Sequence, residues 1–253
     1  MSVSLNWVEP YIALIRIERP HVKNALNWKA MEEFAAAVDQ AHLLQDLRAL
    51  IITGAENAFS SGGDLRELYD FRSEQDGRRL MDGMTAALQR LAALPCPTIA
   101  AINGPARGGG AEIALACDMR VMSEDADLGM VHINIGISPA WGGGQRILRL
   151  VGYSRALEWL TTGHVLSSEE ALLHRVANHL APIGESVNKA VEMARQISTR
   201  PPAAVRAIKR MLGAGINLPV NEAESYERSI FPSLWAAEEH HELVEMFFNR
   251  KRS

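Results

Sequence analysis

Apolar residues along the first two hundred positions recur in two rhythms. "YIALIRIER" (11–19) and "LRALIITG" (47–54) are short runs dense in Ile and Leu that end in turn residues, and both predict strands. Between them Met31, Phe34, Val38 and Ala41 fall at helical intervals behind Asn27, a side chain suited to capping a helix start. Leu80, Met84, Leu88 and Leu91 share one face of a second predicted helix, within 78–94. "PTIAAING" (97–104) is apolar on both faces, which predicts a central strand. A glycine run and another helix follow, then short strands around "MRVMSE" and "DADLGM". Strand, loop and helix in alternation predict an α/β layered core. Past Pro201 and Pro202 the pattern is helical to the end, with a long amphipathic stretch from about Val220 to Phe248. The expected division is a core over 1–198 and a helical region over 199–253 that serves packing or oligomer contact.

Charge and composition narrow the partners. A formal net charge of −4 over 253 residues offers no basic surface to nucleic acid or to an anionic membrane. The start "MSVSLNWVEP" lacks the basic and apolar segments of a secretory leader. No run approaches the roughly 18–20 apolar residues that span a bilayer. Cys96 and Cys117 sit in apolar settings without metal or redox spacing and read as buried, reduced thiols, which predicts a cytoplasmic protein.

Two glycine loops carry the candidate chemistry. "AFSSGGDLREL" (58–68) follows the second strand, and "GPARGGGAE" (104–112) follows the central one; each leads into a helix. A helix start presents unpaired amide N–H groups with partial positive charge, and glycine lets a ligand reach them. Two such loops converging would place two donors around one oxygen, an oxyanion hole. The alternative is that the glycines serve tight turns and helix–strand packing. Other glycine and metal motifs fail on spacing. A phosphate loop needs Gly-Lys-Ser/Thr where Ala111 and Glu112 stand, and a dinucleotide fingerprint needs a small residue at Ile113. A serine-hydrolase elbow lacks its upstream glycine before Ser60 or Ser61. "HHELVE" (240–245) ends in Glu245 where a zinc protease needs its second histidine, so no metal is expected.

"NALN" (24–27), "AFSSGGDL" (58–65), "NGPARGGGAEIALACDMRV" (103–121), "GISPAWGGGQRI" (136–147) and "LTTGHVLSSEEAL" (160–172), in this order and across nearly the whole chain, resemble the enoyl-CoA hydratase/isomerase, or crotonase, superfamily. The resemblance implies an α/β fold built as a spiral of β-β-α units, with C-terminal helices that assemble homotrimers, commonly paired into homohexamers. It implies an acyl-CoA thioester as substrate, with coenzyme A arriving as part of that substrate and no permanently bound cofactor.

By matching position, the thioester carbonyl lies between the N–H groups of Gly63 and Gly109. Losing one such donor typically costs about 3–4 kcal/mol of transition-state stabilisation. Glu112 matches the carboxylate that orients and deprotonates water. At the second glutamate of typical hydratases this chain has His132, either an imidazole that delivers the α-proton or a neutral hydrogen-bonding residue of the core. The family's double-bond isomerases keep an acid at that position. Ala25 and Leu26 match backbone beside the adenine and pantetheine, Arg66 a position reaching CoA phosphate, and Phe231 and Arg250 C-terminal positions near the nucleotide. Asp64, Pro139 and Trp141 match the substrate pocket. Hydration of a 2-enoyl-CoA is the expected reaction. The alternatives are isomerisation, decarboxylation or thioester hydrolysis on the same scaffold, or a non-catalytic acyl-CoA-binding protein.

Overall fold

The Ile-rich runs expected as strands lie side by side. β2 (Ile12–Ile17) and β3 (Ala49–Gly54) pair in parallel, Ile15 opposite Ile52, and β4 (Thr98–Ile102) continues the parallel register beside β3. Both β3 and β4 are buried at every position, as strands covered on both faces must be. β1 (Val3–Glu9), which the apolar pattern does not single out, pairs antiparallel with β2 at the sheet edge. Only its first residues are buried; an edge strand with one covered face alternates and leaves a weak signal. β6 (Met119–Ser123) and β9 (His179–Ala181) complete a six-stranded sheet in the order β1-β2-β3-β4-β6-β9.

A second, three-stranded sheet joins β5 (Ala106–Arg107), β7 (Asp127–Gly129) and β8 (Val165–Ser167). The chain twice passes from a strand of the large sheet to one of the small sheet: β4 to β5, then β6 to β7. An isolated bridge between Ser60 and Ala106 extends that pattern to the turn after β3. This repetition is the expected β-β-α spiral.

The structure is a computed structural model that describes residues 1–250, the side chain of Arg250 excepted. It divides into two units, Met1–Arg195 and the residues from Gln196 onward. In the first, α1 (Trp28–Leu43) begins where expected, with the Asn27 side chain accepting the Ala30 N–H at 2.9 Å. α2 (Leu65–Leu68) is one short turn, and α3 (Glu74–Ala92) starts before the apolar stripe, at a Ser73–Asp76 capping box. Then come α4 (Gly109–Ala116), buried at every residue, α5 (Gly143–Val151), α6 (Tyr153–Thr162) and α7 (Ser168–Leu173). α8 (Ser186–Ser198) leads into the second unit, where α9 (Pro202–Asn217), α10 (Val220–Trp235) and α11 (Glu238–Arg250) follow. The long amphipathic stretch is therefore two helices, separated at Ala236 and Ala237. Ala207 is the only buried residue of this unit among the described residues. Among those residues, no helix is long and apolar enough to cross a membrane.

Parallel pairing puts the C-terminal ends of β2, β3 and β4 on one edge of the sheet. The segments that leave those ends are 18–26, 55–64 and 103–109, which contain the glycine loops. Ligand sites of parallel sheets lie at that edge.

Candidate active site

The two glycine loops meet. Arg107 N–H donates to the Ser60 carbonyl at 2.9 Å, and a Cβ on Gly62 would stand 2.7 Å from the Gly109 nitrogen. Gly109 is the first residue of α4, so no carbonyl of its own helix faces its N–H. Gly63 is bridged to Leu26: Leu26 N–H donates to the Gly62 carbonyl at 2.7 Å, and Asp64 N–H returns to the Leu26 carbonyl at 2.9 Å. That pattern leaves out the Gly63 N–H. Among the described residues, neither the Gly63 nor the Gly109 amide meets an acceptor.

The glycine run also has an internal reason. A Cβ on Gly109 would overlap the six-membered ring of Trp141, and one on Gly110 would overlap the Ser60 carbonyl oxygen. Gly108 has φ +51°, in the left-handed range that side chains resist. Close packing thus accounts for two of the three missing side chains and backbone turning for the third. The packing and ligand-approach explanations coexist at this loop.

Glu112 lies one turn into α4 and is 1% exposed. Its carboxylate does not cap its own helix. Oε1 accepts the N–H of Trp141 at 2.8 Å and of Gly143 at 2.9 Å, and Gly143 opens α5. The charge therefore sits at the positive end of a second helix. Oε2 meets His132 Nε2 at 3.1 Å. Gly143 itself has to be glycine here, since a Cβ would lie 2.5 Å from Glu112 Cγ.

His132 stands on a one-turn 3-10 segment, Val131–Ile135, after β7. An ionised carboxylate only accepts, so Nε2 carries the shared proton. The other ring nitrogen, Nδ1, is buried and has no partner among the described residues. Nε2 also borders the glycine loop, 3.8 Å from where Gly108 would bear a Cβ. The working edge of the imidazole thus faces both the carboxylate and the free amides' loop.

Other expected site residues fall in varied surroundings. Leu26 is fully buried and spends both backbone polar groups on the Gly62–Asp64 segment, so it positions Gly63 and offers no surface to a ligand. Ala25 is buried, its carbonyl accepting from Arg19 at 2.5 Å. Asp64, expected in the substrate pocket, turns its carboxylate to Arg19 Nη1 at 2.9 Å instead, because a buried charge needs a partner. Trp141 is 4% exposed and donates its indole N–H to the Leu80 carbonyl at 3.2 Å, forming the wall behind Gly109. Pro139 is half-buried in the loop before α5, and Arg66 is exposed on α2. Phe231 is exposed on α10 in the second unit, with its ring 5.8 Å from that of Trp235. The Arg250 side chain lies outside the described residues.

A buried and a half-buried arginine near these loops escaped the sequence pattern. Arg19, at the end of β2, is 7% exposed and binds Asp64, Glu67 and the Ala25 carbonyl. Arg146, on α5, donates to the Trp141 carbonyl at 2.9 Å. Burial pushes its guanidinium below the ordinary value, while the neighbouring Glu112 charge works against that fall. A lone arginine beside apolar residues carries no spacing signal, so only the fold reveals either one.

Residues 8–253 match the family model described as Enoyl-CoA hydratase/isomerase. The chain is 31% identical to a short-chain-enoyl-CoA hydratase of Clostridium acetobutylicum, over 96% of this chain and 94% of that one. It is 33% identical to an ethylmalonyl-CoA decarboxylase of Gallus gallus, over 92% and 80%. The crystal structure of an enoyl-CoA hydratase from Bacillus anthracis superposes with a TM-score of 0.94 at 31% identity, covering 99% of this chain and 97% of that one.

Proposed function

Because the chain belongs to the enoyl-CoA hydratase/isomerase family, we propose that it hydrates a 2-enoyl-CoA to the 3-hydroxyacyl-CoA, stabilising a thioester enolate between the Gly63 and Gly109 amides. The observation that carries this reading is the pair of unpaired N–H groups on converging loops, beside the buried Glu112–His132 pair. A thioester carbonyl accepting both donors gains most when it becomes an enolate oxygen, which is differential stabilisation of the transition state.

The proton accounting uses two residues. Glu112 takes a proton from water as its oxygen bonds to Cβ; His132, acting as the imidazolium, gives a proton to Cα as the enolate collapses. The 3.1 Å contact between Oε2 and Nε2 then returns the proton from the carboxylate to the imidazole and restores the starting state.

A second reading has its own support. Decarboxylation of a malonyl-type CoA ester needs the same oxyanion hole and a proton for Cα, but no activated water. An imidazole in the second acid's place and relatives named ethylmalonyl-CoA decarboxylase favour it. Purified protein offered a panel of 2-enoyl-, 3-enoyl- and malonyl-type CoA esters, read by mass spectrometry, separates the two. Addition of one water to a 2-enoyl ester is the expected product. Loss of carbon dioxide alone selects the second reading, and no turnover of any ester rejects both.

The remaining roles follow from the family. Arg66 reaches a CoA phosphate and Ala25 borders the pantetheine, while Phe231 and Arg250 hold positions that the family brings to the nucleotide, often from a neighbouring subunit. The helices of the second unit, which bury almost nothing within one chain, join copies into a trimer or a pair of trimers. Cys96 and Cys117 are both buried thiols, which suits a reducing cytoplasm.

A further inference from the structure

The Gly63 amide is aimed by its neighbours. A trans peptide is planar, so its C=O and N–H point in opposite directions. With the Gly62 carbonyl held by Leu26 N–H at 2.7 Å, the Gly63 N–H must point away from Leu26. The return bond from Asp64 N–H to the Leu26 carbonyl, at 2.9 Å, fixes the other side of the residue. The direction of this donor is thus the direction of a two-bond clamp between segments 25–26 and 62–64.

One guanidinium grips both halves of that clamp. Arg19 Nη1 donates to the carbonyl of Ala25, which precedes Leu26, at 2.5 Å, and to Oδ2 of Asp64, which follows Gly63, at 2.9 Å. Nη2 donates to Glu67 Oε1 at 2.7 Å, and Glu67 Oε2 in turn accepts from Asn27 at 2.8 Å. The Arg19 and Asp64 side chains are 8% and 7% exposed. Buried ion pairs seldom improve stability over apolar residues of the same volume, so geometric control is the role that such an arrangement fits.

We propose that the buried Arg19–Asp64 pair is a positioning device for the oxyanion hole, setting the tilt of the Gly62–Gly63 peptide and with it the polarisation of the thioester carbonyl. The inference rests on the reading of Gly63 as an oxyanion donor. Neither residue touches the substrate; both act through the amide between them. Arg19 is suited to the task because its planar fork serves three acceptors at fixed angles, which a lysine ammonium on a flexible stem does not.

Asp64→Asn is the mildest break, since Arg19 keeps Glu67 and the Ala25 carbonyl. Arg19→Lys, which keeps the charge but not the fork, is the second variant and carries the test if the first does not fold. The readouts are kcat and KM on crotonyl-CoA, and the absorption of a bound aminocinnamoyl-CoA ester, which moves to longer wavelength as its carbonyl is polarised. In the wild type the ester shifts on binding. In Asp64→Asn the shift shrinks, kcat falls by about 10–100-fold and KM stays within about three-fold, as for a donor displaced but not removed. Arg19→Lys falls between the two. A folded Asp64→Asn with the full shift and wild-type kcat overturns the role of the pair, as does a variant that raises KM alone. A wild type that binds the ester with no shift overturns the oxyanion hole itself, and this inference with it.

Discussion

A carboxylate with three donors on it is held still, and Glu112 is in that position. Two amides fix Oε1 and an imidazole meets Oε2, so only the shared proton with His132 is free to move. Glu112→Ala is expected to lower turnover of crotonyl-CoA by roughly 10²–10⁴-fold, the usual worth of a positioned acid or base, with acyl-CoA binding changed only a few-fold. Normal hydration by that variant would show that the carboxylate is structural. His132→Gln keeps a hydrogen-bond donor for Oε2 but has no proton to give, so kcat should fall while KM holds; unchanged kinetics would return His132 to the core. These two positions were legible from sequence because each sits inside a motif at a fixed place. Their mutual contact was not, since it depends on the loop after β7 folding back over α4. Arg19 was illegible for a similar reason: its side-chain partners lie 45 and 48 residues away, at the start of α2 and within it.

At the scale of elements, the strands buried on both faces were readable because a continuous apolar run admits few other fates. The edge strand β1 and the division of the C-terminal amphipathic stretch were not, for an exposed face leaves a weak pattern and helical spacing continues across a two-residue break. The glycine loops were readable as loops before helices. What fills the space left by their missing side chains comes from residues distant in the chain, Trp141 and Ser60. This makes a prediction about α4. Gly109→Ala should destabilise the protein by about 1–3 kcal/mol, the typical cost of overpacking. In a Trp141→Ala background that cost should shrink, because the ring that a Cβ would strike is gone. Chemical denaturation of the two singles and the double mutant gives the coupling. Equal costs in both backgrounds would mean that Trp141 is not what forbids a side chain at 109.

For the whole molecule, the division of labour is uneven. The first unit has an extensive apolar core, while the second exposes Ile208, Leu212, Ile216, Phe231, Trp235 and Met246 in a single chain. Amphipathic helices draw their stability from covering such a face, so assembly is the expected state. Light scattering of the purified protein should give three or six times the 27.8 kDa chain. Leu212→Glu with Ile216→Glu, on one face of α9, should shift it toward smaller species and lower the melting temperature. A wild type that runs as a stable monomer would contradict assembly.

Across all three scales the account turns on whether an acyl-CoA carbonyl becomes an enolate in this site while water and a proton are added. Crotonyl-CoA incubated with the enzyme in deuterium oxide enriched in oxygen-18 measures both at once. The account predicts a 3-hydroxybutyryl-CoA with one heavy oxygen at Cβ and one deuterium at Cα, formed together. Crotonyl-CoA recovered without either label, or heavy oxygen found instead in a carboxylate beside free coenzyme A, would contradict it.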